Sequence, residues 1–190
     1  MAEETRNRLV EAARRLFSEK GYFATGTTEI VETAGVGTRG ALYHHFESKR
    51  ALFLSVFEAI EADLGTKVGT SLTVDTWYQR LRQALSAFLD AAVEEPEVRR
   101  ILLIDGPAVL GWDTWREIEG RFGLGAIRAM LDEGAKEGSL VVADPDAMAH
   151  LLLSLVDEAA LFIAHATDPK QARQGAGASV EALLAGLAAP

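Results

Sequence analysis

Apolar residues recur every three or four positions along most of the chain, which is the spacing of one face of an α-helix. The first stretch places Leu9, Leu16 and Phe17 on one stripe and leaves Arg14 and Arg15 outside it. The sustained two-residue alternation of strands is missing. The pattern therefore predicts an all-α fold, with helices over residues 5–19, 27–34, 38–45, 48–64, 74–94, 97–104, 113–137, 145–166 and 169–188.

A joint between two structural units is predicted over residues 65–75, GTKVGTSLTVD. This segment separates two strongly periodic stretches and contains two glycines.

The composition fits a globular protein, since 48% of the 190 residues are hydrophobic and 25% are charged. Without cysteine the chain has no disulfides and no thiolate chemistry, and we expect a cytoplasmic location. The most apolar stretch, residues 151–166, is interrupted by Asp157 and Glu158, so we expect no membrane span.

The net charge of −9 is unevenly placed. Residues 1–50 hold eight Lys or Arg against seven Asp or Glu, whereas residues 51–190 hold eleven against twenty-one. DNA binding requires local positive charge, so the acidic remainder of the chain does not exclude it.

Two short predicted helices flank the turn Gly-Val-Gly-Thr at residues 35–38 and together form a helix-turn-helix pattern. In DNA-binding versions the second helix enters the major groove. Thr38 is a good N-cap that can meet a phosphate, and Arg39 beside it can reach a base edge. The other candidate contacts along this helix and after it are Gly40, Ala41, Tyr43, His44 and Lys49.

Spacing alone fits an ordinary glycine-linked helix pair equally well. In that interpretation Thr38 is only a cap and Tyr43 only a core aromatic with one edge in water. The adjacent His44 and His45 point about 100° apart on a helix, so they form a poor metal-binding pair. We predict no metal site and no cofactor.

The stretch GYFATGTTEIVETAGVGTRGALYHHFESKRALF, residues 21–53, resembles the DNA-binding domain of the tetracycline-repressor (TetR) family of transcriptional regulators. The similarity runs from about residue 5 to residue 57. The pieces that carry it, in the family's order, are Gly21-Tyr22, Ala34-Gly35-Val36, Leu42-Tyr43, His45-Phe46, Ser48-Lys49 and Leu52. Each piece alone is weak, but the combination is specific.

The resemblance implies an all-α homodimer whose partners are double-stranded DNA and a small-molecule effector. It implies a helix-turn-helix domain over residues 1–47, a connecting helix over 48–65 and a ligand-binding and dimerisation domain over 66–190. The residues predicted to contact DNA are Thr27, Thr38, Arg39, Gly40, Ala41, Tyr43, His44 and Lys49.

Three positions depart from the family pattern. Gly26 stands where Thr or Ser is usual, and it offers no side-chain oxygen to cap the second helix. Thr27 replaces an apolar residue, and Gly37 makes the turn one residue longer, which would change the tilt of the reading helix.

Residues 66–190 carry no motif of comparable specificity. The candidate effector contacts are Phe88, Asp105, Trp112, Trp115, Phe122 and His150. The cluster IDGPAVLGWDTW, residues 104–115, sets an acid and two tryptophans beside a Gly-Pro break, as a pocket rim would. Alternatively the aromatics fill the core, and Asp105 caps a helix or pairs with Arg99, Arg100 or Arg116.

The predicted helix near residues 146–166 is apolar on most of its circumference and needs cover on two sides. The small residues of the last helix allow close approach, and we predict a four-helix interface between two copies. Its residues are Leu152, Val156, Ala159, Ile163, Val180, Leu184 and Leu187. The alternative is a bundle within one chain.

The sequence therefore favours a ligand-responsive regulator, most simply a repressor, that binds a palindromic operator as a homodimer and is released by a small, largely apolar effector. One alternative is a helical enzyme with an acidic active site, and another is a helical interaction module without DNA binding. No spacing among acids such as Asp113, Asp157 and Glu158 matches a metal or nucleophile pattern, so we predict no enzyme activity.

Overall fold

The computed structural model describes residues 2–140 and 142–187. Over these residues the α-helices and the two π-helical segments are α1 Ala2–Lys20, α2 Thr27–Ala34, α3 Arg39–His45, α4 Lys49–Ser71, α5 Trp77–Glu94, π1 Val98–Asp105, α6 Gly106–Leu110, α7 Trp112–Glu119, π2 Gly120–Leu124, α8 Gly125–Glu137, α9 Pro145–His165 and α10 Pro169–Leu184. The all-α prediction is confirmed. Residue 188, the predicted end of the last helix, lies outside the described residues.

Helix α4 is longer than the sequence pattern predicts. It continues to Ser71 instead of ending near residue 64, and the predicted joint at 65–75 shrinks to residues 72–76. The hydroxyl of Thr66 donates to the carbonyl of Ala62 at 2.9 Å, and that of Thr70 donates to the carbonyl of Thr66 at 2.9 Å. These bonds satisfy polar side chains inside a helix, so the polar composition of the segment does not end it.

The predicted helix over residues 113–137 is wrong in detail, because the structure divides it into α7, π2 and α8. The predicted helix over 97–104 corresponds to π1. A π turn adds a residue to each hydrogen-bonded ring, and such insertions often occur at functional sites. The spacing of apolar residues over one turn does not reveal them.

Side-chain caps explain where three later helices begin. The hydroxyl of Thr76 accepts from the amide of Gln79 at the start of α5. The carboxylates of Asp144 and Asp168 accept from the first-turn amides of α9 and α10, and proline follows each of them.

By contacts the chain forms two compact units, and the first comprises Met1–Glu61 and Pro96–Trp115. Its core is aromatic, since the rings of Phe17 and Tyr22 lie 5.4 Å and 5.2 Å from the ring of Phe53. Helix α1 packs against α2, α3 and π1. The segment 96–115 thus lies with the N-terminal helices, although the sequence places it within 66–190. The boundaries at residues 47 and 65 stay a prediction for functional domains.

The second unit comprises Ala62–Glu95 and Arg116–Pro190. Helix α9 lies at its centre and packs against α5, α8, α10 and π2. Among the described residues, α9 is the one helix long and apolar enough to cross a membrane. A buried core helix passes the same test, and the packing of α9 is that of a core helix.

Candidate functional site

Helices α2 and α3 meet through a turn that the sequence predicts. Gly35 ends α2 in the left-handed conformation, with φ of 62°, and its amide donates to the carbonyl of Glu32. Gly37 also has positive φ, 87°, so two residues of this turn adopt a conformation that side chains disfavour. Leu42 of α3 is fully buried and holds that helix in the unit.

The N-terminal half of α3 faces solvent. Thr38 occupies the predicted N-cap position but makes no side-chain cap bond. Exposed residues at this end and along the outer face of the helix are Thr38, Arg39, Gly40, Tyr43 and His44. Ala41 is half-buried. The face opposite Leu42 therefore presents one cation and several small or polar groups.

The hydroxyl of Tyr43 brings together three of the predicted contact residues. Side-chain hydrogen bonds from Arg39 and then from Thr27 lower the pKa of Tyr43. Arg39 lies one turn before Tyr43 on α3, while Thr27 is the first residue of α2. The tyrosine is 47% exposed, so it is not the core aromatic of the alternative interpretation.

Lys49 has a role that sequence reasoning missed. Its ammonium donates to the carbonyls of Tyr22 and Thr25 at 2.7 and 2.8 Å, and it lies 3.9 Å from the centre of the Tyr22 ring. Burial lowers the pKa of Lys49. In the free chain this cation stabilises the turn between α1 and α2, and its phosphate contact stays a prediction.

Asp105 stabilises the same turn from the other side. Its carboxylate is 3% exposed, and Oδ2 accepts from the amide of Tyr22 at 2.7 Å and from Arg100 at 3.3 Å. A Cβ at Gly21 would overlap the Arg100 guanidinium, and Gly21 has φ of 82°. The structure thus gives Asp105 the ion pair of the alternative interpretation, and these bonds account for its position without an effector.

The other predicted effector contacts lie in both units. In the first unit Trp115 is fully buried and donates to the carbonyl of Leu102 at 3.1 Å, whereas Trp112 is 55% exposed. Trp115 is therefore a core residue, as in the alternative interpretation, and its contact with an effector stays a prediction. In the second unit Phe88 is half-buried, and Phe122 and His150 are exposed.

Most of the predicted interface residues are buried within their own unit. Those covered are Leu152, Val156, Ile163, Val180 and Leu184, while Ala159 and Leu187 are half-buried. The large apolar side chains that α9 and α10 leave exposed are Leu151, Phe162 and Leu183. The burial corrects the assignment of residues: side chains that fill one unit's core are not available to a second copy.

No group of three or more His, Asp or Glu side chains that could hold a metal ion occurs in the described part of the chain.

Two protein-family models match the chain, one in its N-terminal part and one in its C-terminal part. The family model described as "Bacterial regulatory proteins, tetR family" matches residues 9–56. The model described as "Tetracyclin repressor-like, C-terminal domain" matches residues 78–187.

Individual relatives agree with the family models. The chain is 38% identical over 110 residues to the HTH-type transcriptional regulator AcrR of Shigella flexneri, an alignment that covers 54% of this chain and 47% of AcrR. It therefore spans about half the length of that relative. Crystal structures of two regulators have the same fold.

One is a TetR-family transcriptional regulator from Pectobacterium atrosepticum, with 35% identity, a TM-score of 0.87 and coverage of 100% of this chain and 96% of that one. The other is RolR in complex with resorcinol, with 22% identity, a TM-score of 0.76 and coverage of 98% and 88%. The second likeness concerns the fold alone. The two family matches, the first of these structures and the helix-turn-helix geometry agree. They show that the chain belongs to the TetR family of DNA-binding transcriptional regulators, which are not enzymes.

Proposed function

We propose that the chain is a ligand-responsive repressor that acts in the cytoplasm, binds palindromic operator DNA as a homodimer, and leaves the operator when a small, largely apolar effector binds. The observation that carries this proposal is the exposed start of α3, where Arg39, Tyr43 and Thr27 converge while Leu42 anchors the opposite face.

Arg39 is the proposed base contact, because arginine reads guanine through two donors in the major groove. Arg39 lies close enough to the Tyr43 hydroxyl to lower the pKa of Tyr43, and a hydrogen bond between them would limit the rotamers of the guanidinium and so the entropy lost on binding DNA. Thr38, Gly40, Ala41 and His44 complete the proposed surface. Contacts from Thr27 and Tyr43 to phosphates would set the register without reading sequence.

The proposed homodimer uses α9 and α10 through the side chains that they leave exposed. Leu151 and Phe162 on α9 are 63% and 58% exposed, and Leu183 on α10 is 58% exposed. Contiguous exposed apolar surface is typical of interaction sites, and these three side chains are the candidates for such a surface. A two-fold dimer would match a palindromic operator with half-sites about 34–36 Å apart.

The proposed response to an effector is supported by a protein of the same fold that binds a small molecule. RolR, which has the same fold, was crystallised with resorcinol, a small uncharged molecule. An effector releases DNA only if it binds the released conformation more tightly than the DNA-bound one.

The test is operator binding measured against salt, with DNA selected from a random pool. Arg39→Ala should remove most of the preference for the selected sequence, and Tyr43→Phe should weaken it. Arg15→Ala is the matched control, because Arg15 is an exposed arginine on α1 of the same unit. Wild-type affinity should fall steeply with salt, by about 0.9 log units per log unit of salt for each phosphate neutralised. Sequence preference that survives both α3 substitutions would refute the assignment.

A further inference from the structure

The middle of α9 carries a buried carboxylate with one oxygen unused. Asp157 is 2% exposed. Its Oδ2 accepts from Arg116 Nη1, but its Oδ1 has no hydrogen-bond partner in the described part of the chain. Leaving a buried acceptor unsatisfied costs about 1–3 kcal/mol, and more for a charged group, so folded proteins rarely do it without a functional reason.

The arrangement of Arg116 explains why Oδ1 stays open. An arginine commonly grips a carboxylate through both oxygens. Here the two terminal nitrogens of the guanidinium donate to different residues: Nη1 donates to Asp157 and Nη2 donates to the hydroxyl of Ser154. Ser154 lies one turn earlier on α9 and donates its own proton to the carbonyl of His150 at 2.8 Å. Ser154 thereby orients Arg116, and Arg116 holds the carboxylate through Oδ2 alone.

The residues that precede Asp157 on α9 include buried apolar side chains. Leu153 lies four residues before Asp157 and Val156 one residue before it, and both are buried. One turn before Asp157, Leu153 packs so closely on π2 that a Cβ added at Gly123 would lie 2.9 Å from its Cδ1. Helix α9 packs against π2 here, and π-helical turns frequently occur at functional sites.

We infer that Asp157, held by Arg116, is the effector-binding carboxylate of the second unit, and that Oδ1 accepts a hydrogen bond from the hydroxyl of an uncharged, mainly apolar molecule. The ion pair with Arg116 already balances the charge of the carboxylate, so a neutral donor enters without leaving a net charge buried. This inference rests on the proposed function, since it names the chemistry of the effector.

Phenol and anisole are the probes. Both are small aromatic molecules with an oxygen, but only phenol has a hydroxyl proton to donate. Titration calorimetry on the free, full-length protein should show phenol binding at least tenfold more tightly than anisole, because anisole leaves Oδ1 unsatisfied.

The decisive variant is Asp157→Asn, which keeps the shape of the side chain but can present an amide donor where the acceptor was. The ratio of phenol to anisole affinity should fall from at least ten to near one. Glu158→Gln makes the same change at the neighbouring, exposed position and should leave the ratio unchanged. Ser154→Ala retains Asp157 but frees Arg116 Nη2 to bond Oδ1, so it should also lower the ratio of phenol to anisole affinity, and it tests the inference if Asp157→Asn fails to fold.

Three results would overturn the inference: neither probe binding at millimolar concentration, equal affinities in the wild type, or a ratio that Asp157→Asn leaves unchanged. A crystal structure grown with phenol that shows only a water on Oδ1 would overturn it as well. Operator binding without probe is measured in parallel. If Asp157→Asn binds operator normally but loses the preference for phenol, both proposals stand. If the wild type binds no operator, the proposed function fails by itself.

Discussion

Each of the two units buries an aspartate beside an arginine, and the two carboxylates differ in the hydrogen bonds that they accept. In the first unit, Oδ2 of Asp105 accepts from the Tyr22 amide and from Arg100. In the second unit, Asp157 is held by Arg116 and keeps Oδ1 without a partner. The first arrangement stabilises a turn, whereas the second leaves an acceptor for a molecule from outside.

The largest effect is expected from Asp105→Ala. It removes the acceptor of a backbone amide and leaves the Arg100 guanidinium, which is 41% exposed, to be solvated by water. We expect the free energy of unfolding to fall by about 2–4 kcal/mol. Urea denaturation measures the loss, and hydrogen exchange should show the Tyr22 amide losing protection first.

Asp113→Ala is the control for that measurement, since Asp113 is an exposed acid in the same unit. If both alanine variants were equally stable, the Tyr22–Asp105 bond would not support the turn.

The second effect is the pH dependence that Asp157 gives to stability. Burial raises the pKa of Asp157 from 3.8 to about 6, against the opposing effect of Arg116. Between these values the native chain binds more protons than the unfolded chain, so this contribution is complete below about pH 4 and is lost as the pH rises through about 6.

Asp157→Asn should abolish this part of the pH profile, a change on the order of 2 kcal/mol between pH 4 and pH 7. Urea denaturation across that range, with Glu158→Gln as the control, measures it. Identical profiles for Asp157→Asn and wild type would mean that the carboxylate is solvated as freely as one in water.

The sequence predicts those structural features that depend on residues close together in the chain. The turn at Gly35, the cap position of Thr38 and the buried Leu42 are each determined by neighbours within a few residues, and all three were predicted. The outer face of α3 follows from the helical period. By contrast, the bond from Tyr22 to Asp105 joins residues 83 positions apart, and no pattern near either residue indicates it.

The same limit explains the interface residues. Periodicity shows that α9 is apolar nearly all round, but it does not say which side its own unit covers. Leu152 and Val156 are buried against the unit, whereas Leu151 and Phe162 are exposed, and this distinction depends on where α5, α8 and α10 lie.

A smaller effect is expected at Lys49, the second support of the turn that Asp105 holds. Lys49→Met removes two hydrogen bonds to carbonyls but keeps the length of the side chain over the Tyr22 ring. We expect a loss of about 1 kcal/mol in unfolding free energy. Lys20→Met is the control, since Lys20 is an exposed lysine that pairs with Glu29. In operator binding, the predicted phosphate contact of Lys49 should make Lys49→Met lower the salt slope by about one, and an unchanged slope would contradict that contact.

The smallest effect concerns how the helices of the two units begin. Helices α5, α9 and α10 have a side-chain cap, whereas Gly26 gives α2 none. Gly26 has φ of −92° and ψ of 149°, and a Cβ there meets nothing within 4 Å, so serine fits without strain. Gly26→Ser should stabilise the unit by a few tenths of a kcal/mol, measured by urea denaturation against Gly26→Ala, which lacks the hydroxyl and should not. The serine hydroxyl would accept a hydrogen bond from a first-turn amide of α2. If that amide also donates to a DNA phosphate, operator affinity should fall while stability rises. Affinity that rises with stability would mean that the α2 terminus lies away from the DNA backbone.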